Sequence, residues 1–247
     1  MYRFFCNPKD IKDNIIVIKD KKELHHIIDV LRFKIDDRIT VLDGEGGKYF
    51  TKIIELDKKH AKLEVFDRSI YKRGDLHTKL TVACAWVHKD KISCIVQKLT
   101  ELAVDRIILI NTERTKIKPK DTDKKIEKLK KISKEALKQS GSQFLPEIEY
   151  MKFPELLKIS NQFDLALIPN LNEHSVSIRV ILNKFLRGNI LVAIGPEGDF
   201  SDKEIKQAEN TGFVSVTLGD TVLKVDTAAI VVAGFVRLRT LLLGKEA

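Results

Sequence analysis

The chain has 247 residues, a formal net charge of +9 and three cysteines. Its 43% hydrophobic content suffices for a packed core and excludes a disordered chain. No apolar run approaches the roughly 18 residues that cross a bilayer, and the N-terminus lacks the apolar stretch of a signal peptide, so no membrane partner is expected. Cys6, Cys84 and Cys94 form no C-x-x-C pair, which argues against a disulfide framework or a zinc site and for a reducing cytoplasm. His25 and His26 are adjacent, so one helix face cannot offer both to a metal ion, and no metal is expected.

Residues 1–72 read as a small β-rich unit. Ile15–Ile18 is a strand, Lys22–Phe33 a short helix with Leu24, Ile27, Ile28 and Leu31 on one side, and Asp36-Asp37 a turn. Arg38–Leu42, Tyr49–Leu56 and Ala61–Phe66 continue the strands, with a hairpin signal at Asp43-Gly44. A compact barrel closes several such strands. Tyr71-Lys72-Arg73-Gly74-Asp75 reads as a linker.

Residues 73–247 change period. Strands are expected at Leu80–Ala85, Arg106–Ile110, Asp164–Ile168, Ile190–Ile194 and Phe213–Leu218. Helices are expected at Asp90–Ala103, Asp123–Gln139 stopped by Gly141, Val176–Phe185, Ser201–Asn210 and Asp226–Leu243. Ser201 and Glu204 have the spacing of a capping box. Alternating strands and helices predict an α/β fold, a parallel sheet with helices on both faces.

The positive charge is concentrated. Residues 114–138 hold eleven Lys or Arg against Asp121, Asp123, Glu127 and Glu135, an excess of seven out of the total nine. A basic helix over 118–138 fits the phosphates of a nucleic acid; a solvated lysine-rich face is the plainer reading. Trp86, the sole tryptophan, follows a buried strand and is expected to pack in the core. His25 and His26 are expected to pack or hydrogen-bond within the small unit.

Two glycine-bearing turns follow apolar strands in the last quarter: Ile194-Gly195-Pro196-Glu197-Gly198-Asp199-Phe200, and Leu218-Gly219-Asp220-Thr221-Val222-Leu223-Lys224-Val225-Asp226-Thr227-Ala228-Ala229. Glycine allows close backbone approach to a ligand, and ligands of α/β sheets bind at the carboxyl ends of strands. Two such turns predict a pocket lined by backbone groups. Neither is a phosphate cradle of the G-x-x-x-x-G-K-[ST] type nor a dinucleotide G-x-G-x-x-G.

This pair resembles the GPEGGF and LGPRILRxETAA segments of SPOUT-class RNA methyltransferases, and more narrowly those of the RsmE family, the uracil(1498)-N3 methyltransferases of 16S ribosomal RNA. The resemblance spans nearly the whole chain. Tyr2-Arg3-Phe4-Phe5 is similar to the family's start, His25–Arg32 to its HHLxxVLR segment and Val96–Val104 to its QKxTELGV helix. Glu113-Arg114-Thr115 lies where the family has xRS, and Glu135–Gly141 matches EAxxQSG. The chain departs from the pattern at His88, Ser142, Asp199, Thr221, Lys224 and Asp226.

The resemblance implies a PUA-like β-barrel over 1–72 that grips RNA, and a knotted SPOUT methyltransferase domain over 73–247 that binds S-adenosylmethionine and pairs as a homodimer. It implies methylation of uridine N3 in 16S rRNA of the small ribosomal subunit. Ile194, Gly195, Gly198, Leu218, Gly219, Val222, Leu223 and Ala228 are then the cofactor-binding residues. Arg114 is a candidate for the substrate phosphate or the developing anionic base, and Glu197 and Asp226 for proton acceptor or base orienter; either acid could instead cap a helix. A ribose 2′-O-methyltransferase of the same class, or an RNA-binding homologue with impaired catalysis, stands as the alternative.

Overall fold

The computed structural model describes residues 2–72, 78–117, 121–170, 172, 175–185 and 187–243. Arg73, Gly74 and Asp75 of the expected linker, and Lys118 and Lys120 of the basic run, lie outside them. The chain divides into two compact units, Met1–Arg73 with Lys134–Leu145, and Gly74–Ser133 with Pro146–Ala247.

The first unit holds β1 (Arg3–Phe5), β2 (Ile11–Lys12), β3 (Ile15–Ile18), helix α1 (Lys21–His25), β4 (Arg38–Leu42), β5 (Gly47–Leu56) and β6 (Ala61–Ile70). The strands form one sheet in the order β1-β4-β5-β6-β3-β2, with β1 parallel to β4 and the other neighbours antiparallel. Alternate β5 residues, among them Tyr49 and Ile53, point into the core, the two-residue period of a half-buried strand. Asp43 makes the hairpin turn, accepting from the amides of Glu45 at 2.7 Å and Gly47 at 2.8 Å.

The expected helix Lys22–Phe33 is shorter. Asp20 caps α1, accepting from Lys22 N and Glu23 N, and a single π turn, His26–Val30, follows. Arg32, at φ 55°, then turns the chain out, and Phe33 N donates to Ile27 O at 3.0 Å, a common helix stop. Phe33 thus leaves the helix to place its ring edge-on to Tyr2 and Phe4. His26 packs against Phe4 and His25 bonds Asp29 at 2.7 Å, local roles within this unit.

The second unit runs β7 (Lys79–Ala85), α2 (Lys89–Glu101), β8 (Arg106–Asn111), α3 (Thr122–Ser140, whose last turns belong to the first unit), β9 (Glu147–Lys152), α4 (Phe153–Lys158), β10 (Leu165–Pro169), β11 (Val176–Ser177), α5 (Ile178–Lys184), β12 (Asn189–Ile194), α6 (Asp202–Asn210), β13 (Phe213–Thr217) and α7 (Val225–Leu243). All seven strands are parallel, in the order β11-β13-β10-β12-β7-β8-β9. Successive residues of a strand face opposite sides. Val82 and Val192 join Ile95, Val96, Ile178, Val232 and Val236 of α2, α5 and α7 in one core. Ala83 and Leu191 join Phe153, Leu156, Ile205 and Ala208 of α4 and α6 in the other. Burial on both faces explains the near-continuous apolar strands.

Val176 and Ser177, expected as the first turn of a helix, instead pair with Val216 and Thr217 at the sheet edge, so α5 starts at Ile178. The edge β-strand β9 and the short helix α4 lie outside the sequence expectations; β9 is half-exposed and charged, which hides its period.

Near the end of α3, Lys138 Nζ binds Glu23 Oε1 at 2.5 Å, with side chains only 10% and 8% exposed. Burial pushes the Glu23 carboxyl above its ordinary value, with Lys138 opposing that shift. Lys138 is therefore a structural member of the basic run. Removing one partner strands a buried charge, so Lys138→Ala is expected to cost about 3 kcal/mol of the first unit's stability, read by urea unfolding. Glu23→Leu combined with Lys138→Met should recover most of that loss; equal destabilisation in single and double variants would contradict the pairing.

Candidate active site

Three turns at the carboxyl ends of β10, β12 and β13, with the start of α7, enclose a cavity of about 100 Å3. Its walls are Pro169, Asn170, Ile194, Gly195, Pro196, Glu197, Asp199, Leu218, Thr221, Val222, Leu223, Val225 and Ala228. Six of the eight residues expected to bind a cofactor meet here: Ile194, Gly195, Leu218, Val222, Leu223 and Ala228. Gly198 and Gly219 are not in this wall. Gly219 shapes the turn, at φ 139°, with its carbonyl accepting from Thr217 Oγ1 at 2.8 Å. Val222 is 78% exposed and lines the cavity.

A second cavity of about 150 Å3 adjoins the first, lined by Trp86, Val87, His88, Arg114, Lys116, Ile117, Pro196, Glu197 and Gly198. It is built from the turns after β7, β8 and β12. The turn from Gly195 to Phe200 is therefore shared by both cavities.

That turn is held from several sides. Arg114 Nη1 donates to the carbonyls of Gly198 at 2.8 Å and Phe200 at 3.2 Å. Glu113 accepts from Ser201 Oγ at 2.7 Å, and its amide donates to Glu204 Oε1 at 2.8 Å. Ser201 and Glu204 form the expected capping box of α6. Asp199 N closes the turn onto Pro196 O at 2.9 Å. Arg114, expected at a phosphate or an anionic base, thus anchors the turn through Nη1.

Asp199, at the place of the second glycine in the GPEGG pattern that the turn resembles, adopts φ 59°. Its Oδ1 accepts from Phe200 N at 2.7 Å, the local bond that lets Asp occupy left-handed space. Burial pushes its carboxyl above the ordinary value. At Gly195 a Cβ would lie 2.9 Å from Asp199 Oδ1 and 3.1 Å from Phe200 N, so a side chain there would crowd the turn.

Glu197 lies in both cavities and pairs with Lys91 of α2. The Lys91 hydrogen bond holds the Glu197 carboxyl below its ordinary value, helped by Lys116 and Lys224. The Lys91 ammonium is raised by the Glu197 hydrogen bond, with Asp226 adding to the field. Asp226 sits in the first turn of α7, and its Oδ1 is buried with no hydrogen-bond partner among the described residues. An unmet buried acceptor costs about 1–3 kcal/mol; Asp226 itself is not among the residues that line either cavity.

Asn170 and Lys91 were not among the expected site residues. Asn170 is buried just past the end of β10, donating to Ser215 Oγ at 2.9 Å and accepting from Asn172 N at 3.1 Å. A polar residue directly after an apolar parallel strand is the sequence signal that could have found it. Lys91 has no such signal, because its partner is distant in sequence. Trp86 is buried in the core as expected, edge-on to Tyr150 at 5.8 Å, while also reaching the second cavity. Among the described residues no group of three or more His, Cys, Asp or Glu could hold a metal ion.

Asp199→Ala keeps the left-handed backbone but loses the local bond, and is expected to cost about 1–2 kcal/mol, whereas Asp199→Gly should be tolerated. Thermal unfolding of both variants measures this, and equal loss in the two would contradict it.

The profile of the RNA methyltransferase domain matches residues 75–237, and that of the RNA methyltransferase PUA domain matches residues 18–66. The ribosomal RNA small subunit methyltransferase E of Mesomycoplasma hyopneumoniae (strain 232) is 30% identical over 232 residues, 93% of this chain and 96% of that protein. The protein of the same name from Synechocystis is 30% identical over 232 residues, 92% of this chain and 74% of the relative. In fold, the chain resembles the crystal structure of a ribosomal RNA small subunit methyltransferase E from Neisseria gonorrhoeae bound to S-adenosyl methionine, with a TM-score of 0.85 at 24% identity over 97% of this chain and 98% of that one. With a parallel α/β sheet carrying the cavities and a PUA-like unit before it, this chain belongs to the ribosomal RNA small subunit methyltransferase E family.

Proposed function

We propose that this protein is an S-adenosylmethionine-dependent rRNA methyltransferase that modifies N3 of a uridine, of the 1498 type, in 16S rRNA of the small ribosomal subunit. The observation that carries the reading is the cavity between the β12 and β13 turns, which gathers the motif residues of this family at the carboxyl edge of a parallel sheet. Its chemistry fits the cofactor: small Ala228 and apolar Leu218, Val222 and Leu223 suit an adenine, and Glu197 suits the cationic sulfonium and ammonium groups. Bound S-adenosylmethionine supplies an electrophilic methyl group.

The chain's own residues would then do three things. The turn held by Arg114 fixes one wall, so the donor and acceptor are positioned before reaction. Asp226, next to the cavity residue Val225 and with a buried carboxylate oxygen that has no partner among the described residues, is the better candidate to accept or orient the N3 proton. Glu197 is engaged by Lys91 and suits charge placement more than proton transfer.

RNA contact falls to the first unit and to α3. Lys124, Lys128 and Lys131 are exposed at i, i+4 and i+7, one stripe of the helix, a spacing suited to phosphates. Residues 1–72 would form the RNA-gripping domain and 73–247 the catalytic domain, knotted as in SPOUT enzymes, acting on ribosomes in the cytoplasm. A homodimer is the assembly this reading favours. On α7, Val231 and Leu238 are 44% and 66% exposed, seven residues apart on one face.

Calorimetry should show S-adenosylmethionine binding, and Asp226→Asn should keep that affinity while lowering kcat by about a hundredfold or more. An absence of binding would sink the enzyme reading, and an unchanged kcat would remove Asp226 from it. Leu238→Glu should convert a dimer to a monomer in light scattering; a monomeric parent protein would contradict the assembly.

A further inference from the structure

The backbone of the turn from Gly195 to Phe200 is fixed from several sides, but none of those bonds reaches the Glu197 carboxylate. We propose that Lys91 is the positioning residue for that carboxylate. From α2 it holds Glu197 Oε1 at the wall the two cavities share, which turns Oε2 toward the sulfonium of the methyl donor. A carboxylate fixed there separates the charged donor from its product, whose sulfur is neutral. The inference rests on the methyltransferase reading and adds to it a residue that lines neither cavity.

The Glu197 side chain is 50% exposed. A glutamate so placed samples several rotamers unless something holds it. Among the described residues Lys91 Nζ makes the one hydrogen bond to it, at Oε1, and Oε2 is left without one. Lys116 and Lys224 act on this carboxylate only through their field. Lys91 in turn has no other ionic partner among the described residues, and its side chain is 30% exposed.

The ammonium is delivered from a rigid element. Lys91 lies in the first turn of α2, where the next residue, Ile92, is 3% exposed, and Ile95 and Val96 are buried in the core. Helix α2 follows β7, and β7 pairs along its length with β12, whose carboxyl end opens into the turn that carries Glu197. The pair thus ties a helix anchored behind one strand to the turn leaving the neighbouring strand. Groups held from such elements keep their place better than groups held from loops.

Positioning and simple charge cancellation predict opposite signs. An ammonium beside Glu197 offsets part of the carboxylate's attraction for a cation. If that were all it did, removing Lys91 would tighten binding of the sulfonium donor. If Lys91 fixes the carboxylate, removing it weakens donor binding and leaves the neutral product unaffected.

Calorimetry with S-adenosylmethionine and S-adenosylhomocysteine on the whole protein separates the two. Lys91→Met and Glu197→Gln should each lower the donor-to-product affinity ratio by about tenfold, the worth of one hydrogen bond to a charged group. Product affinity and melting temperature should stay at the parent's values, because a half-exposed ion pair contributes little to stability. Lys91→Arg, which keeps a cation at the end of a long side chain, should recover most of the ratio. In the Glu197→Gln background, Lys91→Met should change the ratio by less than about twofold, since it acts through a group already lost. The kcat for RNA methylation should follow the same pattern across the four variants. An unchanged or raised ratio in Lys91→Met, or losses that add in the double variant, would overturn the inference. A parent protein that binds neither compound would instead strike the methyltransferase reading, and this inference with it.

Discussion

The site depends on one constrained turn, Gly195 to Phe200. It leaves the central strand β12 and enters α6, and it serves both cavities at once. Its conformation is overdetermined: Arg114 holds two carbonyls, Asp199 binds the next amide, and the capping box with Glu113 fixes the helix start. Each bond is modest in isolation, a net of about 1 kcal/mol. Together they give a rigid wall, which is what positioning two reactants demands.

Charge is arranged around that wall with unequal commitments. Glu197 is paired with Lys91, whereas the buried oxygen of Asp226 has no partner among the described residues. The two acids of the glycine-bearing segments thus have different chemistry open to them. Lys91 ties α2 to the turn through Glu197. The basic run of α3 divides in the same way: Lys138 is buried in an ion pair, Lys125 lies over the Trp86 ring, and Lys124, Lys128 and Lys131 face solvent.

The second unit was highly legible in the sequence. Its strands are buried on both faces, so they appear as apolar runs whose length and spacing mark them, and the Ser201–Glu204 spacing marks α6. The helix ending at Arg32 was less legible, because a left-handed arginine carries no compositional signal and Phe33 leaves for aromatic partners brought by β1. The half-exposed β9 lacked a clear period for the same reason that edge strands are polar. At the site, the glycine turns pointed to the cavity, but their individual roles needed coordinates: Gly195 avoids a clash, Gly219 bends the backbone, and Gly198 borders the neighbouring cavity. Arg114 looked like a ligand for an anion, and its bonds to the turn depend on residues more than eighty positions away. Long-range pairings of this kind are invisible to local patterns.

The central claim is methyl transfer from S-adenosylmethionine to uridine N3 in small-subunit rRNA. Its most direct test is mass mapping of 16S rRNA from a strain lacking this protein, before and after treatment of its small subunits with the purified protein and S-adenosylmethionine. The account predicts that 3-methyluridine at the 1498-type position is missing from the deletion strain and is restored by the treatment. Persistence of 3-methyluridine at that position in the deletion strain would contradict it.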